Sequence, residues 1–222
     1  MAHPPGRLEF HGGETARLFT LELNASLEGV LRKNLVRNEA DSMRGFVHAS
    51  VDGRPWSGTS WSRDTGVLLR ELALWGHLRE ASRVAERLMA LVRPNAAGYR
   101  MFPERFAFGE AGSGEELDGT AAVGIGLFLL WRRLPEHDPL RAAIARFLLG
   151  PDSPIAGLQA MLESRPLLAG SGEFGGGCYI EGLHCNSVQN QYAALALDAA
   201  ARLAGAAGDP DRSVRLDGQA RR

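Results

Sequence analysis

The apolar residues of this chain recur at helical spacing along most of its length, and the alternation typical of strands is almost absent. Apolar side chains at every third or fourth position give a helix one face that can be buried. Gly76, Pro135 and Gly150 mark points where these stretches stop. The pattern predicts an all-α protein with helices over residues 14–37, 62–75, 78–92, 118–134, 140–149, 153–163 and 186–203.

The links between the predicted helices alternate in length. They are short around Gly76 and over 135–138, and long over 38–61, 94–117 and 150–185. A short link forces two helices into an antiparallel hairpin, whereas a long irregular link inside a domain usually serves a function. The alternation favours a toroid of helical hairpins with inner and outer layers. Its long loops are expected to gather at one end, which is then the functional face.

The predicted helix over 118–134 is expected to belong to the inner layer. Residues 121–128 are apolar nearly all round, which indicates burial on every side, whereas residues 79–87 are amphipathic and suit an outer helix. Gly124 and Gly126 each cost a helix about 1 kcal/mol relative to alanine. Their presence predicts that a neighbouring helix approaches closely.

The composition of the chain argues against some classes of binding partner. The chain has 222 residues, 45% of them hydrophobic, and a formal net charge of −1, so its overall charge favours neither nucleic acid nor anionic membranes. The longest apolar run, 121–131, is too short to span a bilayer, and the N-terminal residues lack a secretory apolar segment. Two cysteines cannot form a disulfide framework. We expect a cytoplasmic protein that binds neither nucleic acid nor membranes.

Polar side chains cluster where each long link meets the start of a helix, at 60–64, 114–120 and 173–186. Sugar recognition needs carboxylates, arginine and amides for the hydroxyls, and an aromatic ring for the apolar sugar face. Trp61, Arg63 and Asp64 supply such a set within four residues. Acidic residues at helix starts also cap the helix and complement its dipole, so Asp118 has an equally good structural explanation. The clusters predict a sugar site on one face of the helical bundle.

The sequence from Ser60 to Leu69 resembles the segment of glucoamylase-like glycoside hydrolases in which an aromatic residue and an Arg-Asp pair precede an apolar helix. In that family the Arg-Asp pair holds hydroxyls of the terminal sugar. Leu117-Asp118-Gly119 is similar to the segment that opens the family's next inner helix, and the resemblance spans roughly 56–203. It implies glycosidic cleavage by general acid/base chemistry without a cofactor. The residues expected to bind an oligosaccharide are Trp61, Arg63, Asp64, Glu116, Asp118, His184, Asn186 and Gln189.

The catalytic acid is open between Glu181 and Glu173, because the Trp-Glu-Glu segment that carries it in the family is absent. Glu181 stands nearer the helix start and is preferred, with Glu173 as a ligand contact in a glycine-rich segment. Cys178, His184 and Cys185 resemble the zinc ligands of lanthipeptide cyclases. Adjacent His and Cys rarely bind one ion without further ligands, so no metal is expected.

The resemblance covers only the N-terminal half of such a toroid. Residues 1–205 are expected to form a partial toroid of about three of the six hairpins, followed by a polar, disordered tail over 206–222. The family's catalytic base belongs to the other half, so we expect an incomplete glycoside hydrolase, with hydrolysis and phosphorolysis both open. Exposed inner surfaces favour self-association or a partner chain. The alternatives are a non-catalytic helical scaffold and a sugar-binding remnant without turnover.

Overall fold

The computed structural model describes residues 12–29, 35, 45–48, 58–107, 110–111, 117–164 and 187–221. These residues are mostly helical, which confirms the predicted all-α class. The helices are α1 (Glu14–Gly29), α2 (Ser62–Leu74), α3 (Leu78–Leu91), α4 (Leu117–Arg133), α5 (Pro139–Leu149), α6 (Pro154–Ser164), α7 (Ser187–Ala206) and α8 (Pro210–Ala220). An antiparallel sheet accompanies them, with strands β1 (Thr59–Trp61), β2 (Arg105–Ala107) and β3 (Glu110–Ala111) in that order.

Helix α4 lies at the centre of the described part of the chain. It packs against both α2 and α7, and α5 follows it through a short link. Every residue from Leu117 to Gly124 is buried, which confirms the prediction made from its apolar pattern. By contrast, α3 buries only one face, formed by Ala81, Val84, Ala85 and Leu88. None of the described helices is long and apolar enough to cross a membrane.

Helices α2 and α4 run parallel and lie unusually close together. A Cβ atom added to Gly66 would lie 2.5 Å from the carbonyl carbon of Ala122, and one added to Gly126 would lie 2.7 Å from the carbonyl oxygen of Gly66. Real Cβ atoms do not approach other heavy atoms so closely. The two backbones therefore meet at a distance that only glycine permits, as the sequence predicted for Gly126.

The same prediction is wrong for Gly124. A Cβ atom there would meet nothing closer than Ile155 Cδ1 at 3.6 Å and Ala196 Cβ at 3.9 Å, both ordinary van der Waals distances. Gly124 faces the side of α4 where α6 and α7 pack, and these helices leave room for a methyl group. The two glycines thus differ because they lie on different faces of one helix.

The short links and one cap follow the sequence signals. Gly76 has a φ of 82°, a backbone conformation that glycine adopts without strain, and it turns the chain from α2 into α3. Asp138 caps α5 by accepting a hydrogen bond from the Leu140 N–H, with Pro139 in the first turn. Ser153 Oγ accepts one from the Ala156 N–H at 3.0 Å at the start of α6, which confirms the predicted Ser-Pro start.

The predicted disordered tail is wrong, because residues 210–220 form α8, which packs against α7. The Asp209 carboxylate accepts a hydrogen bond from the Arg212 N–H at 3.0 Å, and Leu216 is fully buried. Gln219 Oε1 accepts a hydrogen bond from Gln159 Nε2 in α6 at 2.7 Å. An N-cap and tertiary contacts stabilise this polar helix. Neither gives the sequence an apolar period, so the helix was not predicted.

Helix α7 runs opposite to α4. The end of α5 lies at the N-terminal end of α4, because the Phe147 ring centroid is 6.2 Å from that of Phe102, whose N–H donates to Thr120 Oγ1. At the start of α8, Arg212 Nη1 donates to the backbone oxygen of Leu149, the last residue of α5. The turn between α7 and α8 therefore lies at this same end, and the N-terminal end of α7 points away from it. The third polar cluster, 173–186, precedes α7 and lies outside the described residues, so for this cluster the shared face stays a prediction.

Two predictions for the first part of the chain are also wrong. Helix α1 ends at Gly29 and not at residue 37, and Leu35 instead forms an isolated antiparallel bridge with Val47. Strands β1, β2 and β3 lie within the first two long links, where no strand was expected. Strands of two or three residues are too short for alternation to be recognisable.

Replacing Asp209 with alanine is expected to lower the free energy of unfolding by about 1 kcal/mol, because α8 loses its N-cap hydrogen bond. Urea denaturation measures the change. A matched variant, Gly218→Ala, adds a methyl group where no atom lies within 4 Å and should raise stability by about 0.5–1 kcal/mol. If both variants unfold like the parent chain, α8 does not contribute to the folded state.

Candidate functional site

The N-terminal ends of α2 and α4 lie side by side and hold one segment of the second long link. The Ser62 N–H donates to the Glu104 backbone oxygen at 3.0 Å, and Ser62 Oγ donates to the backbone oxygen of Pro103. From α4, Thr120 Oγ1 accepts a hydrogen bond from the Phe102 N–H at 3.0 Å. All of Ser62, Phe102 and Thr120 are buried. The two helix starts are thereby fixed to the segment that leads into β2.

A buried ion pair joins the two sequence clusters that begin these helices. Arg63 Nη1 lies 3.2 Å from Asp118 Oδ2, across 55 residues of sequence. Asp118 is fully buried and the Arg63 side chain is 10% exposed, so the pair is largely removed from water. The second carboxylate oxygen of Asp118 accepts the Gly119 N–H at 3.0 Å. Asp118 thus serves the helix start and orients Arg63 at the same time, and it has no surface open to a ligand.

Asp64 is the exposed member of this cluster. Its Oδ1 lies 3.7 Å from Arg63 Nε, and 62% of its side chain is exposed. Arg63 therefore has a carboxylate on each side, buried Asp118 at one end and exposed Asp64 at the other. Two carboxylates in this arrangement fix the orientation of the Arg63 guanidinium. A polar ligand at this surface would contact Asp64 first.

Trp61 precedes α2 and pairs with Arg105 across the β1–β2 ladder. The Arg105 guanidinium carbon lies 5.6 Å from the centroid of the Trp61 ring, within the range of a cation–π contact. Both side chains are half-buried. The Trp61–Arg105 pair and the Arg63–Asp64 pair thus both lie at the start of α2.

Trp61 occupies the N-cap position of α2 and makes no side-chain cap hydrogen bond, and two hydroxyls hold the first turn beside it. Thr65 Oγ1 donates to the Trp61 backbone oxygen at 2.7 Å and lies 2.7 Å from Ser60 Oγ. Ser60 and Thr65 are both fully buried. Their hydroxyls stabilise the first turn of α2.

Several residues of the sequence-based hypothesis lie outside the described residues. They are Glu116, Glu173, Cys178, Glu181, His184, Cys185 and Asn186. Among the residues that are described, no group of three or more His, Cys, Asp or Glu could hold a metal ion. The predicted site residues that the structure describes near the starts of α2 and α4 are therefore Trp61, Arg63, Asp64 and Asp118.

Gln189 lies in the first turn of α7, away from that cluster. Its side chain is fully buried, and within the described ranges neither its amide nitrogen nor its amide oxygen has a hydrogen-bond partner. An unsatisfied buried amide costs about 1–3 kcal/mol. Because α7 runs opposite to α4, the structure does not bring Gln189 together with Arg63 and Asp118. The sequence motifs that begin α2 and α4 meet, whereas the third motif, 173–186, lies outside the described residues.

Arg105 and Thr120 are the members of the site region that the sequence-based hypothesis missed. Thr120 follows the Asp-Gly pair directly, and a hydroxyl in a helix start is a common partner for a passing backbone N–H. Arg105 carries no comparable signal, because only the register between β1 and β2 places it beside Trp61. Comparisons of the chain with known protein families, with curated proteins and with solved structures give no match.

Proposed function

We propose that the N-terminal ends of α2 and α4 form the sugar-binding site of a glycoside-hydrolase-like protein. The observation that carries the proposal is the buried Arg63–Asp118 pair. It joins two segments that separately resemble the sugar-binding segments of glucoamylase-like enzymes, and it lies next to exposed Asp64 and to Trp61. Convergence of two distant motifs is harder to explain by helix capping than either motif alone.

Each member of the cluster has a distinct role in this proposal. Asp64 accepts hydrogen bonds from two sugar hydroxyls, as an exposed carboxylate can. Arg63 donates to a hydroxyl or ring oxygen, and Asp118 keeps its guanidinium in the orientation that this requires. Trp61 provides an aromatic surface for the apolar face of the sugar ring. Asp118 is therefore a positioning residue, and Asp64 is the direct contact.

The architecture we propose is a partial toroid built on two hairpins, α2–α3 and α4–α5. Its support is the parallel packing of α2 against α4, because adjacent inner helices of a toroid run in the same direction. Helix α7 departs from this pattern, so the proposal does not extend to a third hairpin. On α1, Leu18 and Leu21 are 53% and 56% exposed. We propose a second copy or a partner chain as the cover for such apolar surface.

Turnover needs more than this cluster. Glycosidic cleavage uses one carboxylic acid to protonate the leaving oxygen and a second carboxylate on the opposite side. Asp118 is paired and buried, and Asp64 is assigned to binding, so neither is proposed as the acid. Glu181, or else Glu173, keeps that role as a proposal. The activity that the described residues support best is the binding of gluco-oligosaccharides.

Replacing Asp64 with asparagine is expected to weaken gluco-oligosaccharide binding by at least about tenfold. The change removes a charge-assisted hydrogen bond, which contributes about 1.5–3 kcal/mol. Tryptophan fluorescence follows the titration of the purified chain, and the change on binding is expected to come from Trp61. Because Asp64 is exposed, the variant should keep the helical circular dichroism of the parent chain.

The matched control is Asp198→Asn, which changes an exposed aspartate on α7 that pairs with Arg202 at 2.9 Å. It should bind like the parent chain. Saturable binding that is lost only in the Asp64 variant supports the sugar site. Absence of binding by the folded parent chain would reject the proposal and leave a non-catalytic helical scaffold as the better explanation.

A further inference from the structure

Two arginines lie near the start of α2: Arg63 in its first turn, and Arg105 opposite Trp61 in the β1–β2 ladder. They differ in the carboxylates that compensate their charges. Arg63 has carboxylate oxygens of Asp118 and Asp64 at 3.2 Å and 3.7 Å. Arg105 has no ion pair and no side-chain hydrogen bond within the described residues. Its guanidinium carbon lies 5.6 Å from the centroid of the Trp61 ring, a cation–π contact. Among the described residues, therefore, no carboxylate compensates the charge of Arg105.

The strand register explains why Arg105 takes this position. In the antiparallel β1–β2 ladder Trp61 lies opposite Arg105, so both side chains stand on the same face of the sheet. The neighbouring pair, Ser60 and Phe106, is fully buried and stands on the other face. Trp61 and Arg105 are both only half-buried, which leaves the guanidinium within reach of a ligand at the surface.

We infer that Arg105 makes the site selective for sugars that carry an anionic substituent, such as the carboxylate of a uronic acid. The inference rests on the proposed sugar-binding function and adds the substrate class. A planar guanidinium matches a carboxylate with two parallel hydrogen bonds, and no residue in the described part of the chain makes that interaction with Arg105. Arg63 cannot supply it, because its charge is already shared by Asp118 and Asp64.

The position of Arg105 on the ring also acts against neutral sugars. An arginine held on one face of Trp61 competes with a sugar ring for that face. A neutral sugar must displace the guanidinium without any new contact to it. An acidic sugar draws the guanidinium to its own charge and gains an ion pair in exchange. Arg105 therefore shifts the affinities for the two ligand classes in opposite directions.

The opposite effects on acidic and neutral sugars distinguish a selective role of Arg105 from a purely structural one. If the Arg105–Trp61 contact only stabilised the β1–β2 pairing, its loss would loosen the surface and weaken every ligand alike. A selective role predicts weaker binding of an acidic sugar and unchanged or tighter binding of a neutral one. The ratio of the affinities for the acidic and the neutral sugar would change only if Arg105 has a selective role.

The experiment compares methyl glucoside with methyl glucuronide, two ligands that differ only at the sixth carbon. Isothermal titration of the full chain measures both affinities, and glucose 6-phosphate distinguishes a phosphate from a carboxylate as the preferred anion. We expect the parent chain to prefer one of the anionic sugars by about tenfold, equivalent to about 1.4 kcal/mol. In Arg105→Gln this preference should disappear, with the neutral sugar bound at least as tightly as before.

Arg105→Lys is the second variant, and it keeps the charge while removing the planar fork. It should retain a reduced preference for the anion, and high salt should weaken that preference because ions screen an exposed charge. Equal binding of neutral and anionic sugars by the parent chain would overturn the selectivity and leave the sugar site intact. If no sugar binds to the folded chain, the proposed function itself fails, and the inference fails with it.

Discussion

Replacing Asp118 with alanine should lower the free energy of unfolding by about 3 kcal/mol, the lower end of the cost of breaking a buried ion pair. The change removes the carboxylate that lies 3.2 Å from the largely buried Arg63 guanidinium, while exposed Asp64 stays at 3.7 Å. Because Asp64 is exposed, it compensates this charge only in part. Urea denaturation followed by circular dichroism measures the loss.

The matched control is Asp198→Ala, which breaks an exposed ion pair with Arg202 on a single helix. Such pairs contribute about 0.3–0.5 kcal/mol, so this variant should be nearly as stable as the parent chain. Equal losses in the two variants would show that burial adds nothing at Asp118. The Arg63–Asp118 pair would then not be the contact that joins α2 to α4.

A double variant separates the cost of an unpaired charge from the contribution of the pair. Arg63→Met combined with Asp118→Leu removes both charges and keeps apolar volume at both positions. Replacing both partners of a buried pair is often neutral or even stabilising. We expect the double variant to be more stable than Asp118→Ala and to have lost sugar binding. That combination would assign the pair to function as well as to folding.

Much of the helical framework was predictable because apolar periodicity records which face of each helix is buried. The pattern from Ala121 to Phe128 indicated burial on all sides, and α4 is buried there nearly throughout. Where that signal was weak, the prediction was wrong. Helix α8 has Leu216 as its only fully buried residue, and its start is marked by Asp209-Pro210, the same kind of signal as Ser153-Pro154 before α6. The cap was readable, but the tertiary contacts that stabilise α8 were not.

Some features of the candidate site were likewise predictable from the sequence, and others were not. Arg63 and Asp118 each stood out in the sequence, and the prediction that their helix starts share one face is confirmed. The position of Arg105 was not predictable, because it depends on which residues of two very short strands oppose each other. The direction of α7 depends on contacts such as that between Arg212 and Leu149, far apart in sequence. Long-range pairing of this kind leaves no periodic trace along the chain.

Replacing Gly66 with alanine is expected to destabilise the protein by about 3 kcal/mol, at the upper end of the usual cost of overpacking. The new methyl group would lie 2.5 Å from backbone atoms of both Ala122 and Val123, which cannot move aside as a flexible side chain can. Helices α2 and α4 would have to separate. Thermal and urea denaturation would both report the change.

The matched control is Gly124→Ala, on the face of α4 where a methyl group has ordinary contact distances. There the gain in helix propensity should raise stability by up to about 1 kcal/mol. Gly126 lies on the same interface as Gly66, and a Cβ there would lie 2.7 Å from the Gly66 carbonyl oxygen. Once the helices have separated, the second alanine has more room, so Gly66→Ala and Gly126→Ala together should cost less than the sum of the two.

The close approach of the helices also connects stability to the site. Gly66 lies one turn after Arg63, and Ala122 lies one turn after Asp118, so a separation at the glycine would pull the ion pair apart. Gly66→Ala should therefore weaken sugar binding as well as stability, whereas Gly124→Ala should leave binding unchanged. If Gly66→Ala were as stable as Gly124→Ala, the backbones would not be in contact there. The geometry of Arg63 and Asp118 would then need another cause.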